Sequence, residues 1–102
     1  MFQASPVIAA IEGNLTVLQG SNLTLTCLLA YGTPQPSVTW YKDDVMVLPT
    51  PDARVSLPDW NALRVEFVTQ GDGGTYECRA VNAGGQSSLS VQVFVVGELR
   101  FS

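Results

Sequence analysis

Apolar and polar residues alternate in short runs along most of the chain, and turn-forming residues separate one run from the next. The clearest run is Leu23-Thr24-Leu25-Thr26-Cys27, in which two leucines and a cysteine share one face. Because successive side chains of a β-strand point to opposite faces, such runs predict strands with one buried side. Apolar residues do not recur at helical spacing, so we expect an all-β domain.

The alternating runs place predicted strands at residues 6–11, 15–18, 23–27, 38–41, 45–48, 54–57, 62–68, 76–80 and 87–96. Prolines lie close to the 54–57 strand, which suits a strand at the edge of a sheet. In the last strand, the residues predicted to point inward are Leu89, Val91, Val93 and Val95. Short strands of this kind, separated by turn residues, are the pattern of an all-β fold.

Composition limits the classes of function. Of the 102 residues, 46% are hydrophobic and 14% are charged, and the net charge is −4. This composition is typical of one globular domain. The five lysine and arginine residues stand singly, so binding of nucleic acid and docking of a basic patch on a membrane are not expected. No run of about 18 apolar residues is present, so we expect no direct membrane insertion by this segment.

The two ends of the chain differ from the alternating pattern. Met1 looks like an added initiator, and the residues after it lack the basic start and apolar run of a signal peptide. We expect residues 1–5 to be linker, residues 6–96 to form the domain, and residues 97–102 to be a linker stub. The chain is then a piece of a larger protein, and its first expected contacts are the neighbouring domains of that protein.

Two cysteines, Cys27 and Cys78, lie 51 residues apart. A redox pair normally has the spacing C-x-x-C, and a zinc site needs four ligands, which two cysteines without any histidine cannot supply. A structural disulfide is favoured, and it implies an oxidising compartment. The lack of histidine also excludes Ser-His-Asp and Cys-His catalysis, so we expect no enzyme, no cofactor and no small-molecule substrate.

Two segments carry a family resemblance. Residues 32–43 read GTPQPSVTWYKD, in which a loop with two prolines leads into V-x-W-x-K-D. Residues 72–82 read DGGTYECRAVN, with a tyrosine two positions before the second cysteine. In order and spacing these segments resemble immunoglobulin-like domains of the I-set, over residues 6–96. Too few residues separate Trp40 from Cys78 for the two extra strands of a variable-type domain.

The resemblance implies a two-sheet sandwich with strands A/A′BED in one sheet and GFCC′ in the other. It implies that the Cys27–Cys78 disulfide joins the sheets and that Trp40 packs over it. It assigns Tyr76 to a tyrosine corner, in which the hydroxyl bonds to backbone, and it pairs Asp72 with Arg54. The residues expected to stabilise the fold and not to contact a ligand are Trp40, Tyr76, Asp72 and Arg54.

Other residues are candidates for modification or binding. Asn14-Leu15-Thr16 and Asn22-Leu23-Thr24 are acceptor sequences for N-glycosylation, so Asn14 and Asn22 are candidate sites. A glycan on Asn22 would occupy the ABED face and leave the GFC face free for binding. The predicted binding residues are Tyr41, Arg79, Val81 and Phe94 on that face and Trp60 in a turn, and Phe67 is also expected to be partly exposed.

The resulting functional hypothesis is an extracellular protein–protein recognition module, as in adhesion molecules and receptor ectodomains. The alternative is a structural spacer in a tandem immunoglobulin array, either in the extracellular matrix or in a giant protein of the muscle cytoskeleton. The predicted partner is another protein, which could be a second copy of the chain. The fold alone does not choose between these hypotheses, because immunoglobulin-like domains serve many functions.

Overall fold

A computed structural model describes residues 2–97 of the chain. This part of the chain folds into nine strands and one short 3-10 turn at Gln70–Asp72. The strands are β1 (Ala4–Glu12), β2 (Thr16–Leu18), β3 (Leu23–Thr33), β4 (Ser37–Lys42), β5 (Val45–Met46), β6 (Val55–Asp59), β7 (Ala62–Val65), β8 (Gly74–Asn82) and β9 (Gly85–Val96). The prediction of an all-β domain is confirmed.

The strands form two sheets that pack face to face. One sheet has the order β1-β3-β7-β6, and the other has the order β2-β9-β8-β4-β5. All neighbouring strands are antiparallel except β2 and β9, which pair in parallel from Thr16↔Phe94 to Leu18↔Val96. The predicted immunoglobulin-like sandwich is thus confirmed, with β1, β3, β7 and β6 as A, B, E and D.

One detail of the predicted topology is wrong. The A′ segment was expected in the same sheet as A, but β2 belongs to the five-stranded sheet beside β9. The chain changes sheets at Gly13, whose φ is +152°. A Cβ at Gly13 would lie 2.4 Å from the Thr24 carbonyl oxygen, so only glycine allows this close crossing.

Several strand ends also differ from the alternation pattern. β1 begins at Ala4, two residues earlier than predicted. β3 continues beyond Cys27 to Thr33, which pairs with Ala4. The register between β1 and β3 is irregular, which explains why alternation in the sequence stops at Cys27. β7 ends at Val65 because Phe67 adopts a left-handed backbone conformation, with φ of +51°.

The core lies between the sheets. Cys27 on β3 and Cys78 on β8 form a disulfide with a Cα–Cα distance of 6.3 Å, as predicted. Trp40 lies opposite Cys78 in the β4–β8 ladder and is buried in the same cluster. The rest of the buried cluster consists of Val17, Leu23, Leu25, Leu63, Val65, Val68, Tyr76 and Val93.

Leu89 lies opposite the buried Cys78 and therefore points inward as predicted, but 36% of its surface is exposed. The reason is the short length of β2, which covers β9 only at Phe94–Val96 and leaves the first part of β9 as a sheet edge. Within residues 2–97, no helix has the length and apolar character required to cross a membrane.

Candidate functional site

Arg54, Asp72 and Tyr76, to which the resemblance assigned structural roles, meet Thr69 at one corner of the sandwich. We call these four residues the corner cluster. Arg54 donates two hydrogen bonds to the Asp72 carboxylate, of 2.9 and 3.2 Å. The Thr69 backbone N–H donates to the same carboxylate, and the Tyr76 hydroxyl donates to the backbone carbonyl of Asp72. Each polar group thus has a partner within the domain.

Burial controls the acid–base properties of this cluster. Burial raises the pKa of the Asp72 carboxyl, but hydrogen bonds from Arg54 and Thr69 lower it more, so that its pKa lies below the ordinary value. Burial, reinforced by the Asp72 charge, raises the pKa of Tyr76 to about 12. At neutral pH the Asp72 carboxyl is therefore ionised and the Tyr76 hydroxyl is protonated.

The outer surface of the five-stranded sheet carries a different arrangement, the face cluster of Tyr41, Glu77 and Arg79. Tyr41 on β4 lies opposite Glu77 on β8. The Arg79 guanidinium lies 3.7 Å from the centroid of the Tyr41 ring and donates to the Glu77 carboxylate at 2.9 Å. The hydrogen bond to Glu77 holds the pKa of Arg79 above its ordinary value. The result is an ordered, partly exposed cation–π pair.

Val81 and Phe94 are exposed on the same sheet, but they lie apart from one another. Val81 follows Arg79 by two residues on β8 and extends the face cluster toward the β8–β9 turn. Phe94 pairs with Thr16 at the opposite end, roughly 17 Å from Tyr41 by strand spacing. With its exposed neighbours Leu18 and Val96 it forms an apolar exit patch where the described chain ends.

Trp60 lies elsewhere. It occupies the turn between β6 and β7 and is 47% exposed. It borders a groove of about 640 Å³ that runs between β4 and β6, which we call the Trp60 groove. The groove is lined mainly by Pro36, Val38, Trp40, Leu57, Trp60 and Ala62. Sequence reasoning singled out Trp60 but missed Leu57, whose exposure follows from its position on the edge strand β6.

Both glycosylation candidates are exposed. Asn14 lies in the bend between β1 and β2, and Asn22 directly precedes β3. They border one shallow depression together with Glu12 and Thr24. The Oδ1 of Asn22 accepts a hydrogen bond of 3.3 Å from the backbone N–H of Phe67. In the part of the chain that the structure describes, no group of three or more Cys, Asp or Glu residues could hold a metal ion.

Curated proteins similar to this chain are much longer than it. The chain is 47% identical over 85 residues to a vascular endothelial growth factor receptor kdr-like protein of Danio rerio. This match covers 83% of the chain and 6% of that protein. The chain is also 36% identical over 90 residues to Roundabout homolog 1 of Rattus norvegicus. This second match covers 88% of the chain and 5% of that protein. The chain therefore corresponds to a small fraction of each relative.

Solved structures agree with the sandwich. A chain in the complex of titin M10 with an obscurin-like 1 immunoglobulin domain superposes with a TM-score of 0.84 at 26% identity, over 97% of this chain and 100% of that one. The Ig1-2 module of the Drosophila receptor protein tyrosine phosphatase DLAR gives a TM-score of 0.79 at 30% identity, over 90% of this chain and 46% of that one.

The family model of the immunoglobulin I-set domain matches residues 6–95. This match includes both cysteines, Trp40 and the corner cluster, so the resemblance read from the sequence is confirmed. The chain belongs to the immunoglobulin I-set domain family.

Proposed function

We propose that this chain is an extracellular protein-recognition domain and that it binds its partner with the outer face of the five-stranded sheet. One observation carries the proposal: the face cluster is a paired tyrosine and arginine that is partly exposed on the outer face of the five-stranded sheet. Tyrosine and arginine are among the residues that contribute most to protein–protein binding energy.

The geometry of the face cluster favours binding at low entropic cost. Arg79 is held on one side by the Tyr41 ring and on the other by Glu77. Its side chain is therefore ordered before a partner arrives, and less conformational freedom is lost on association. The cluster lies on neighbouring strands of a sheet, which are more rigid than loops.

The proposed compartment rests on three supports. The disulfide needs an oxidising environment to form and persist. Two exposed acceptor sequences for glycans suit a secretory route. A receptor is among the relatives that the chain matches. We propose a protein partner and contacts with neighbouring domains, and no catalysis, nucleic-acid binding or small-molecule substrate.

The experiment measures binding of the oxidised, unglycosylated chain, biotinylated and assembled into streptavidin tetramers. Two surfaces serve as probes: beads that carry the same chain, and intact vascular endothelial cells. We expect binding to at least one surface, and a loss of at least tenfold for Tyr41→Ala because it removes the ring under Arg79. Trp60→Ala is the control, because Trp60 lies away from the face cluster.

The outcomes separate the candidate surfaces. Unchanged binding of Tyr41→Ala combined with lost binding of Trp60→Ala would transfer the recognition role to the Trp60 groove and contradict the proposal. If the chain binds neither the beads nor the cells, recognition of these two probes is contradicted and the second candidate function is favoured.

That second candidate is a spacer in a tandem array. It is favoured by the exit patch, because Leu18, Phe94 and Val96 expose apolar surface where the chain would meet a following domain. Similarity to titin domains fits this function as well. A spacer should sediment as a monomer at all accessible concentrations and should bind neither probe.

A further inference from the structure

Phe67 is one of the exposed aromatic residues that the face cluster does not include. Its surface is 68% exposed, and it lies just beyond Val65, where the β3–β7 ladder ends. Its φ of +51° is uncommon for a bulky residue, since the left-handed conformation crowds the Cβ. The backbone thus adopts an unfavourable conformation that leaves a large apolar ring in solvent.

The neighbour of this ring is an acceptor asparagine. The Phe67 backbone N–H donates to Oδ1 of Asn22. The flanking residues are held in the same way, because Val68 donates its N–H to the Ser21 carbonyl at 2.9 Å. Phe67 and Asn22 are therefore fixed side by side. Because Oδ1 accepts the hydrogen bond from Phe67, Nδ2, the atom to which a sugar would attach, lies on the other side of the Asn22 amide.

We propose that Asn22 carries an N-linked glycan and that Phe67 is the platform on which its first sugar ring lies. The apolar face of an N-acetylglucosamine ring can pack on an aromatic ring, which removes both from water. This explains why a phenylalanine is exposed beside Asn22 and why its unusual backbone conformation is retained. The proposal rests on the extracellular compartment of the proposed function, but not on the recognition face.

The covalent step requires an oligosaccharide donor of the lipid-linked diphosphate class. Nδ2 of Asn22 forms a bond to C1 of the first sugar, and the bond between C1 and the diphosphate oxygen breaks. The lipid diphosphate leaves with that electron pair, and Nδ2 loses one proton. Thr24, the third residue of the acceptor sequence, is exposed on the same side of β3 as Asn22.

The first measurement locates the glycan. The chain is directed through the secretory pathway of mammalian cells, and its intact mass is measured. Thr24→Val should remove one glycan mass and Thr24→Ser should retain it, while both keep the Asn22 side chain that bonds to Phe67. Equal numbers of glycans on the two variants, after the different masses of valine and serine are allowed for, would mean that Asn22 is not modified and would overturn the proposal.

The second measurement tests the platform. In an Asn14→Gln background only Asn22 can be glycosylated, and the melting temperature is measured before and after enzymatic release of the glycan. Release should lower the melting temperature by about 4 °C, since one aromatic contact of ordinary strength shifts a domain of this size by that amount. In the Phe67→Ser variant the same release should cost less than about 1 °C.

A charge effect is removed by this design. Enzymatic release by an amidase converts Asn22 to an aspartate in both backgrounds, so the difference between them reports the ring alone. Trimming to a single N-acetylglucosamine should preserve the stabilisation, because only the first ring lies on Phe67. Equal shifts with and without the Phe67 ring would overturn the platform. Binding by the face cluster is measured on unglycosylated protein, so either proposal can fail without the other.

Discussion

At the scale of single residues, the corner cluster shows how a buried charge stabilises the sandwich. The side chain of Asp72 is 12% exposed and its charge is balanced by a two-point contact with Arg54. Loss of the carboxylate would leave the guanidinium without its anion at a site where water replaces it poorly. The two residues join the loop before β6 to the turn before β8.

We expect Asp72→Asn to lower the free energy of unfolding by about 2 kcal/mol at pH 7, since a charged hydrogen-bonded pair is lost. Urea denaturation measures this difference. The matched control is Asp44→Asn in an exposed turn, which should change the value by less than about 0.5 kcal/mol. A small effect of Asp72→Asn, equal to that of the control, would contradict the structural role.

The same residue predicts a pH dependence. Because the pKa of Asp72 is lowered in the folded state, its contribution is complete above the unfolded pKa and disappears as the pH falls through the folded pKa. The stability difference between the wild type and Asp72→Asn should therefore narrow as the pH is lowered from about 5 to about 2. A difference that stays constant over this range would rule out the ionised pair as its source.

Tyr76 provides an independent test of the corner. Its buried hydroxyl donates to the Asp72 carbonyl. Tyr76→Phe should lower the free energy of unfolding by about 1–2 kcal/mol, because a buried carbonyl loses its donor while the ring is retained. Tyr31→Phe, on an exposed tyrosine, is the control and should have little effect. Equal effects of the two variants in denaturant titrations would argue against the tyrosine corner.

At the scale of elements, the sheet change between β1 and β2 depends on one backbone position. Gly13 permits the crossing because its φ of +152° and its contact with the Thr24 carbonyl exclude a side chain. Gly20 also has a positive φ, of +90°, but a Cβ there would meet no atom within 4 Å. The two glycines therefore separate steric contact from backbone preference.

We expect Gly13→Ala to lower the free energy of unfolding by about 3 kcal/mol, from backbone strain plus the forced displacement of β3. Gly20→Ala should cost about 1 kcal/mol, because only the backbone preference is lost. Thermal or urea unfolding of both variants provides the comparison. Equal costs would mean that the close contact of Gly13 with the Thr24 carbonyl adds nothing to the backbone preference, and would contradict this account of the crossing.

These elements also show what the sequence can and cannot predict. Strict alternation correctly located the strand that contains Leu23 and Leu25. In a half-buried strand, consecutive residues of the sequence show by themselves which side chains face the core and which face solvent. The partner of β2 was not predictable, since sheet membership depends on contact with β9, almost eighty residues away along the chain. The exposure of Leu89 was not predictable either, because alternation gives the direction of a side chain but not what covers it.

At the scale of the whole molecule, the sandwich presents two outer faces of unlike chemistry. One carries Asn22 and the exposed ring of Phe67, and the other carries the face cluster. The sequence indicated the division, since strand alternation placed Tyr41 and Arg79 outward. It could not indicate that Arg79 lies over Tyr41, or that Phe94 is too distant to join them, because these depend on register between strands.

The central claim is that recognition belongs to the face cluster, and charge reversal tests it most directly. Arg79 pairs with Glu77 on one outer face, and Arg64 pairs with Glu66 on the other, so each arginine lies two residues from its glutamate. The dissociation constant of the tetramerised chain for its probe is measured for Arg79→Glu and for Arg64→Glu. We predict that Arg79→Glu lowers the affinity at least tenfold and that Arg64→Glu leaves it unchanged. Equal affinities of the two variants, or a loss confined to Arg64→Glu, would contradict the claim.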